Sequence, residues 1–535
     1  MKKKFPERSS GILLPIFSLP SKYGMGCFSD QARSFIDFLR SAGQSYWQIL
    51  PLGPVNESRS PYQAPSSFAG NPEFIDPEEL LRLGLVTEEQ FSDFERSVSP
   101  FSVSGIYGNI DYVSVLPPRL KLRLQAYEGF LRLPAASPYR TGFDSFTREN
   151  KDWLDDYALF ETLEKEYGDN WSQWPEKYRL RDPEALAAFD RENSRETEFI
   201  RFQQYEFFRE LESLHAYARS AGIKLIGDLP IYTACESADC WSHPGIFQLD
   251  KDLKPEALSG CPPDAFAPGG QLWNNPLYRW HDAPEKTAAW WAARLAHSLK
   301  TVDMLRLDHF RGFESYFSIP ADRADPALGH WEKGPGADFF RSLPEKAFPS
   351  GSFIAEDLGS LTPEVFKLRD SLRLPGMKIL QFAFDSDRTN PYLPDNFGRR
   401  CVIYTGTHDN DTTAGWYSSL SPRRRNRIRH FISAYLLKHR KAAFTSLLPP
   451  DRLRRWTRAD IRNSEIAEAL TMIAQSSKAG LCLLPLQDIL SLGSGARINT
   501  PGIASGNWTF ELGTGLSLTE YAGKLQRLSE TCGRV

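Results

Sequence analysis

Two hydrophobic rhythms alternate along the chain. In one, apolar residues recur at steps of three and four and the stretch closes on Ala-Gly. In the other, a short continuous apolar run follows within a few residues. DQARSFIDFLRSAG (30–43) precedes YWQILPLGP, FIRFQQYEFFRELESLHAYARSAG (199–222) precedes IKLIGDLPIY, and IAEALTMIAQSSKAG (466–480) precedes LCLLPL. The first rhythm is that of an amphipathic helix, and Gly favours the position just past a helix end. A continuous apolar run suits a strand buried on both faces. Helix, glycine, buried strand is the pattern of α/β proteins with parallel sheets.

Eight runs fit such strands: 11–17, 46–52, 223–229, 302–308, 352–357, 378–384, 401–406 and 481–486. Helical segments lie between most of them, such as EKTAAWWAARLAHSLK (285–300) before the fourth. TPEVFKLRDSL (362–372) opens on a capping Thr with Pro at the first helical position. Eight alternating units predict a single (β/α)₈ (TIM) barrel over residues 1–535, with a doubly wound open sheet as the alternative. Two connections exceed a simple crossover. Residues 53–198 are expected to form an inserted subdomain between strands two and three. Residues 230–284, rich in Pro, Gly, Trp and Asp, are expected to form a mouth insertion between strands three and four. Loops after barrel strands build the active site.

Composition narrows the class. Hydrophobic residues make up 41% and charged residues 24% of 535, as in an ordinary globular protein with a large core. A net charge of −3 gives no global electrostatic case for nucleic acid. Seven scattered cysteines form no CxxC pair and suit a reducing compartment. The start, MKKKFPERSSGILLPIFSLP, imitates a signal peptide, but its apolar run is short and holds Pro15. It reads better as a first core strand, and no run approaches membrane-spanning length. A cytoplasmic protein with no membrane partner is expected. Aromatic residues reach 13%, which suits either a large core or a cleft that stacks on sugar faces. The basic run SPRRRNRIRHF (421–431) with RLRRWTR (452–458) reads as a solvated helix face.

The chemistry gathers at strand ends. VDMLRLDHFRG (302–312) places Arg306 and Asp308 two positions apart, hence on the same side of a strand. Asp228 follows the third run, Glu356 with Asp357 ends the fifth, and Asp409 lies just after the seventh. Polar residues at the C-terminal ends of barrel strands point at the active site. Helix capping explains one such ending; four, joined by Arg306, His309 and His408, exceed it. Several carboxylates in an aromatic-rich mouth suit glycosyl hydrolysis or transfer. Arg306 favours the ionised form of Asp308. The apolar run Phe353–Ala355 before Glu356 favours a retained proton there. No GxGxxG, Walker loop, HExxH or GxSxG elbow competes. The run Asp409-Asn410-Asp411 is contiguous, unlike a calcium loop with ligands at alternate positions, so no metal is expected.

The chain resembles the amylomaltase family of 4-α-glucanotransferases, relatives of the α-amylases. The resemblance runs from SSGILLPIFSLPSKYG to INTPGIASGNW. Its motifs are AGQSYWQILPLGP, SPYQAPSSFAGNP, GDLPIY, GQLWNNPLYRW, RLDHFRG, AEDLG, LPGMKILQF, YTGTHDNDT and LPLQD. The resemblance implies that Asp308 is the nucleophile, Glu356 the acid/base and Asp409 the third carboxylate, which steadies the transition state. It implies that Arg306 and His408 support the donor subsite. It gives substrate-contacting roles to Tyr62, Asp228, Gln271, Trp273, His309 and Asn410. It further implies a (β/α)₈ barrel, no cofactor, and transfer of α-1,4-glucan segments to the 4-hydroxyl of a glucan or glucose. The partners expected are therefore α-1,4-glucans and maltooligosaccharides.

Four departures stand out. TACESADCW has Glu236 where the family has Asp, PPDAFA has Ala265 where a tyrosine is common, and NWTFEL has Glu511 where an Arg is common. The loop VNESR (55–59) replaces a Gly-rich one. None touches the three carboxylates. The residues alone leave hydrolysis and transfer open, and a glucan-binding protein on the same fold is the non-enzymatic alternative; the transferase reading rests on the resemblance.

Overall fold

A computed structural model describes residues 5, 8–263, 269–439, 447–503 and 505–535. Eight parallel strands make one sheet: Ser9–Leu13, Tyr46–Gln48, Lys224–Leu229, Met304–Leu307, Phe353–Ala355, Gly376–Ile379, Cys401–Tyr404 and Leu481–Pro485. Their neighbours run five-four-three-two-one-eight-seven-six, the order of a (β/α)₈ barrel. The first strand pairs with the last, Ser9 opposite Leu481 through Leu13 opposite Pro485. Arg534 ties down this junction by donating to Ser9 O at 2.9 Å and Gln475 O at 2.6 Å.

The sheet closes between strands five and six without a ladder. There the Ala355 N–H donates to Pro375 O at 2.9 Å. The carboxylate of Asp357 completes the seam by accepting the Met377 N–H at 2.6 Å and binding Arg369. Asp357 is thus a closing device of the barrel, and its charge also helps to raise the pKa of the neighbouring Glu356.

All eight expected strands are present, but most are shorter. The run 378–384 keeps only its first two residues in a strand; Leu380–Phe384 curls into a 3-10 helix that buries Leu380, Gln381, Ala383 and Phe384. The run 11–17 likewise turns into a 3-10 helix at Ile16–Ser18. The buried apolar runs outlast the strands because the chain stays in the core after leaving the ladder.

Helices Asp30–Ser41 and Ser194–Ser220 end as expected, with Gly43 and Gly222 in the left-handed region at φ 65° and 78°. The third glycine, Gly480, differs: its helix stops at Ser476, and Gly480 enters the last strand. Thr362 sits at the N-cap of Pro363–Ser371 but its side chain makes no capping bond.

Between strands two and three, residues after 76 are mostly helical, with one short strand, Tyr107–Asn109, paired antiparallel with Phe510–Leu512, and Phe91, Phe130 and Phe160 join the same apolar cluster as barrel residues Ile226 and Leu483. Over the mouth, Ala257–Cys261 and Gln271–Pro276 pair antiparallel, and Ser315–Pro320 and His330–Lys333 extend them to a four-stranded sheet. Half of that sheet comes from the connection after the fourth barrel strand, outside the range 230–284. Among the described residues, no helix is long and apolar enough to cross a membrane.

Candidate active site

The C-terminal ends of strands three, four, five and seven converge on one polar cluster. Its centre is Arg306, whose side chain is only 5% exposed. Its Nη1 donates to Asp228 Oδ1 at 2.7 Å and Oδ2 at 2.8 Å, and lies 2.9 Å from Asp308 Oδ1. One buried guanidinium therefore faces two carboxylates, as strand alternation of Arg306 and Asp308 predicts. Charge balance leaves the cluster anionic, so burial and mutual repulsion push the Asp308 carboxyl up to about 6 despite Arg306. About a quarter of the Asp308 side chain remains open to solvent, and water there tempers the push. Asp308 stays mostly ionised at neutral pH.

Glu356 follows the fifth strand and is nearly buried. Burial, opposed by Arg306 and reinforced by the Asp308 charge, pushes its carboxyl up to about 8. Two backbone N–H groups hold it: His309 N–H to Oε2 at 2.8 Å and Leu358 N–H to Oε1 at 2.9 Å. The His309 backbone reaches this position through a left-handed conformation, φ 45° and ψ 50°. Such a conformation is uncommon for a non-glycine residue. The peptide that links Asp308 to His309 thus also positions Glu356.

Tyr62 and His408 join the cluster from other loops. The Tyr62 O–H donates to Asp228 Oδ2 at 2.8 Å, and its oxygen lies 2.9 Å from His408 Nε2. Since Tyr62 has one proton, Nε2 must carry the proton of the histidine and donate it. Burial lowers the His408 pKa, so the ring is neutral with Nδ1 as a buried, unpartnered acceptor. The ring also stacks on Tyr62, with centroids 5.4 Å apart. Asp409 is more open, 42% exposed. Its Oδ1 accepts from Asn499 Nδ2 at 2.6 Å, and Arg497 donates to its backbone carbonyl at 2.7 Å.

The mouth sheet supplies the other wall. Gln271 and Trp273 share one face of a strand, and the Trp273 indole N–H donates to Gln271 Oε1 at 3.0 Å. Trp273 packs edge-on against His309, centroids 4.8 Å apart. His309 is held neutral by burial, which lowers it to about 4, and its Nε2 is buried without a partner. Asn410 lies next to Asp409 on the same loop. Its carbonyl oxygen accepts from the Thr407 N–H at 2.9 Å and hydroxyl at 3.0 Å, which closes the turn that presents Asp409. Among the described residues, no group of three or more His, Cys, Asp or Glu side chains could hold a metal ion.

A family profile described as 4-alpha-glucanotransferase matches residues 14–515. The chain belongs to that family. The 4-alpha-glucanotransferase of Thermus thermophilus is 40% identical over 531 residues, 99% of each chain. That of Clostridium butyricum is 38% identical over 525 residues, 97% of this chain and 99% of its own. A solved structure, the amylomaltase of Streptococcus agalactiae in complex with acarbose, matches with TM-score 0.86 and 29% identity over 98% of this chain and 99% of that one.

Within this glucanotransferase-family chain, sequence reasoning missed Asn499, Arg497 and Trp508. Trp508 lies 5.8 Å from the Tyr62 ring and 6.1 Å from that of His408, centroid to centroid. The signal was available, since INTPG and SGNW end the matching stretch. Of the departures, Glu236 is half-buried and pushed up to about 7 by burial. Arg59 of the VNESR loop lies over the Tyr112 ring at 5.3 Å. Glu511 is fully buried in the short strand Phe510–Leu512, with both carboxyl oxygens unpartnered and its pKa raised to about 9. Ala265 lies outside the described residues.

Proposed function

We propose that this 4-alpha-glucanotransferase works by retaining double displacement, moving α-1,4-glucan segments between glucans and maltooligosaccharides in the cytoplasm. The observation that carries the mechanism is the pair Asp308 and Glu356, with Arg306 on the first and a raised pKa on the second. In the first half-reaction Asp308 attacks the anomeric carbon as the glycosidic bond breaks. Glu356 gives its proton to the departing O4, which leaves as a 4-hydroxyl. The product is a β-glucosyl ester on Asp308. Esterification removes the Asp308 charge that helps to raise Glu356, which shifts Glu356 toward the carboxylate that must act as base. In the second half-reaction the acceptor's 4-hydroxyl attacks the same carbon and Glu356 takes its proton. Two inversions give retention.

Asp228, held by Arg306 and Tyr62, and Asp409, held by Asn499, are suited to bind sugar hydroxyls as charge grows on the ring. His408 ties these loops together, with Nε2 2.9 Å from the Tyr62 hydroxyl and 3.4 Å from Asp409 Oδ1. Trp273 and the mouth sheet shield the ester from water, which favours a sugar acceptor over hydrolysis.

Incubation with maltotriose and chromatography of the products tests this reading. A ladder of longer maltodextrins with glucose is expected, and Asp308→Asn should remove it. Glucose and maltose without longer chains would establish a hydrolase instead. Undiminished turnover in Asp308→Asn would remove the covalent mechanism.

A further inference from the structure

The arginine-rich region after the seventh strand has no part in the reaction above. Helices Pro422–Lys438 and Pro450–Thr457 pack side by side, joined by Ser433 Oγ donating to Thr457 O at 2.6 Å. Arg423, Arg424 and Arg427 of the first helix are exposed, as are Arg454, Arg458 and Arg462 in and after the second. Among the described residues, none of these six has a carboxylate within ion-pair distance. The contrast is sharp: Arg452 and Arg455 are neutralised by Glu465 and Glu468, whereas Arg454 of the same helix and Arg458 just past its end are exposed without such a partner.

This arrangement works against stability. Arg423 and Arg424 fall in the first turn of a 17-residue helix, where the macrodipole disfavours cations. Arg423 and Arg427 stand one turn apart, a like-charge pair. A merely soluble helix face gains nothing from this placement, and the chain as a whole is acidic. An anion that sits across the arginines relieves both terms.

Position says which anion. The helix begins at the mouth end of the barrel. Its first turns are linked to the loop of Asp409 through helix Thr413–Ser419, whose Tyr417 hydroxyl donates to Arg425 O at 3.4 Å. Phe384, just past the sixth strand, packs on both Trp416 and Phe431. A long glucan leaving the mouth on this side would cross the arginines, yet an unmodified glucan is neutral. Guanidinium forks fit phosphate oxygens. Among the described residues the two helices offer no exposed Phe, Tyr or Trp ring for bases, since Trp456 is buried. We propose that this rim binds phosphate monoesters carried on α-glucan chains, so that the enzyme holds phosphorylated polymer beside its mouth. The proposal rests on the glucan reading of the site.

The test is native affinity electrophoresis of the full chain. One gel contains phosphate-bearing amylopectin and another the same polymer after phosphatase treatment. Stronger retardation in the first gel is expected, lost at about 1 M salt, where the Debye length is roughly 3 Å. The variant Arg423→Glu/Arg424→Glu/Arg427→Glu should bind the phosphorylated polymer on the order of tenfold more weakly, the weight of one charge-assisted hydrogen bond. It should disproportionate maltotriose at the wild-type rate. Replacing the same three residues by Lys keeps the fold and charge and should give intermediate retardation. Equal retardation in both gels overturns the proposal, as does full retardation of the Glu variant. Tighter binding of a DNA duplex or of anionic vesicles than of phosphorylated amylopectin also overturns it. Absence of maltotriose disproportionation in the wild type would instead sink the reading of the active site, and is scored separately.

Discussion

Among the described residues, Arg306 is the one cation that faces both Asp228 and Asp308, and Arg306→Met removes it. In the wild type, Asp308 titrates near 6 and Glu356 near 8. At pH 7 each is then about nine-tenths in its working form, Asp308 ionised and Glu356 protonated. The pH profile of kcat/KM should be a bell with limbs near these values. An adjacent opposite charge holds a carboxyl down by roughly 1–3 units, and solvent at Asp308 argues for the lower part of that range. Without Arg306 the acid limb should move up to about 7–8. The basic limb should move up too, because Arg306 also lowers Glu356. The productive fraction at pH 7 then falls roughly two- to tenfold from protonation alone. Arg306→Lys keeps the charge and should keep the acid limb near its original place. The assay is initial-rate disproportionation of maltotriose from pH 5 to about 9.5, with thermal unfolding as a check, since an unpartnered Asp228 can cost roughly 3–5 kcal/mol. A folded Arg306→Met enzyme whose acid limb stays at its wild-type position would refute the electrostatic argument.

Three further outcomes follow from the same contacts. Asn499→Ala deletes a bond to the Asp409 carboxylate, worth roughly 1.5–3 kcal/mol, so kcat/KM should fall about 10–100-fold with the melting temperature little changed; a change confined to stability would refute that role. Glu511 has a raised folded-state pKa, so its contribution to stability is lost as pH rises from about 4.5 through about 9. Denaturation of Glu511→Met should show a gain over wild type that grows across this window, roughly 3 kcal/mol at pH 7, and a gain independent of pH would contradict it. Gly376→Ala would set a Cβ 2.2 Å from Asp357 Oδ2 at the barrel seam, and urea unfolding should show a loss on the order of 1–3 kcal/mol.

The barrel was legible because its signal is periodic and repeated: apolar runs such as LCLLPL can be buried only in a two-sided sheet. Asp308 and Arg306 were legible for the same reason, since alternation along one strand fixes their common side. Strand ends were less so. Hydrophobicity reports burial, not hydrogen bonding, and KILQFAF stays buried after it leaves the ladder. The mouth sheet escaped because its strands, 257–261, 271–276, 315–320 and 330–333, straddle a barrel strand in sequence. Asn499 escaped because an amide after the eighth strand has no periodicity to betray it; only the fold brings it to Asp409. Asp357 looked like a site residue from its neighbour Glu356, yet the backbone points it the other way, into the seam.

The pairing of the first strand with the last has a consequence in time. Ser9–Leu13 needs Leu481–Pro485 beside it, and residues 14–480 are made between the two. At roughly 5–20 residues per second, the first strand waits about 25–90 s for its partner. Throughout synthesis the growing sheet keeps an apolar edge open, with Ile12 and Leu13 among the residues destined for full burial. Arg534, which anchors the junction, arrives later still. The barrel therefore cannot close on the ribosome until residues 481–485 have been made, and a chain stopped before residue 481 carries an unpaired strand that invites association with its copies.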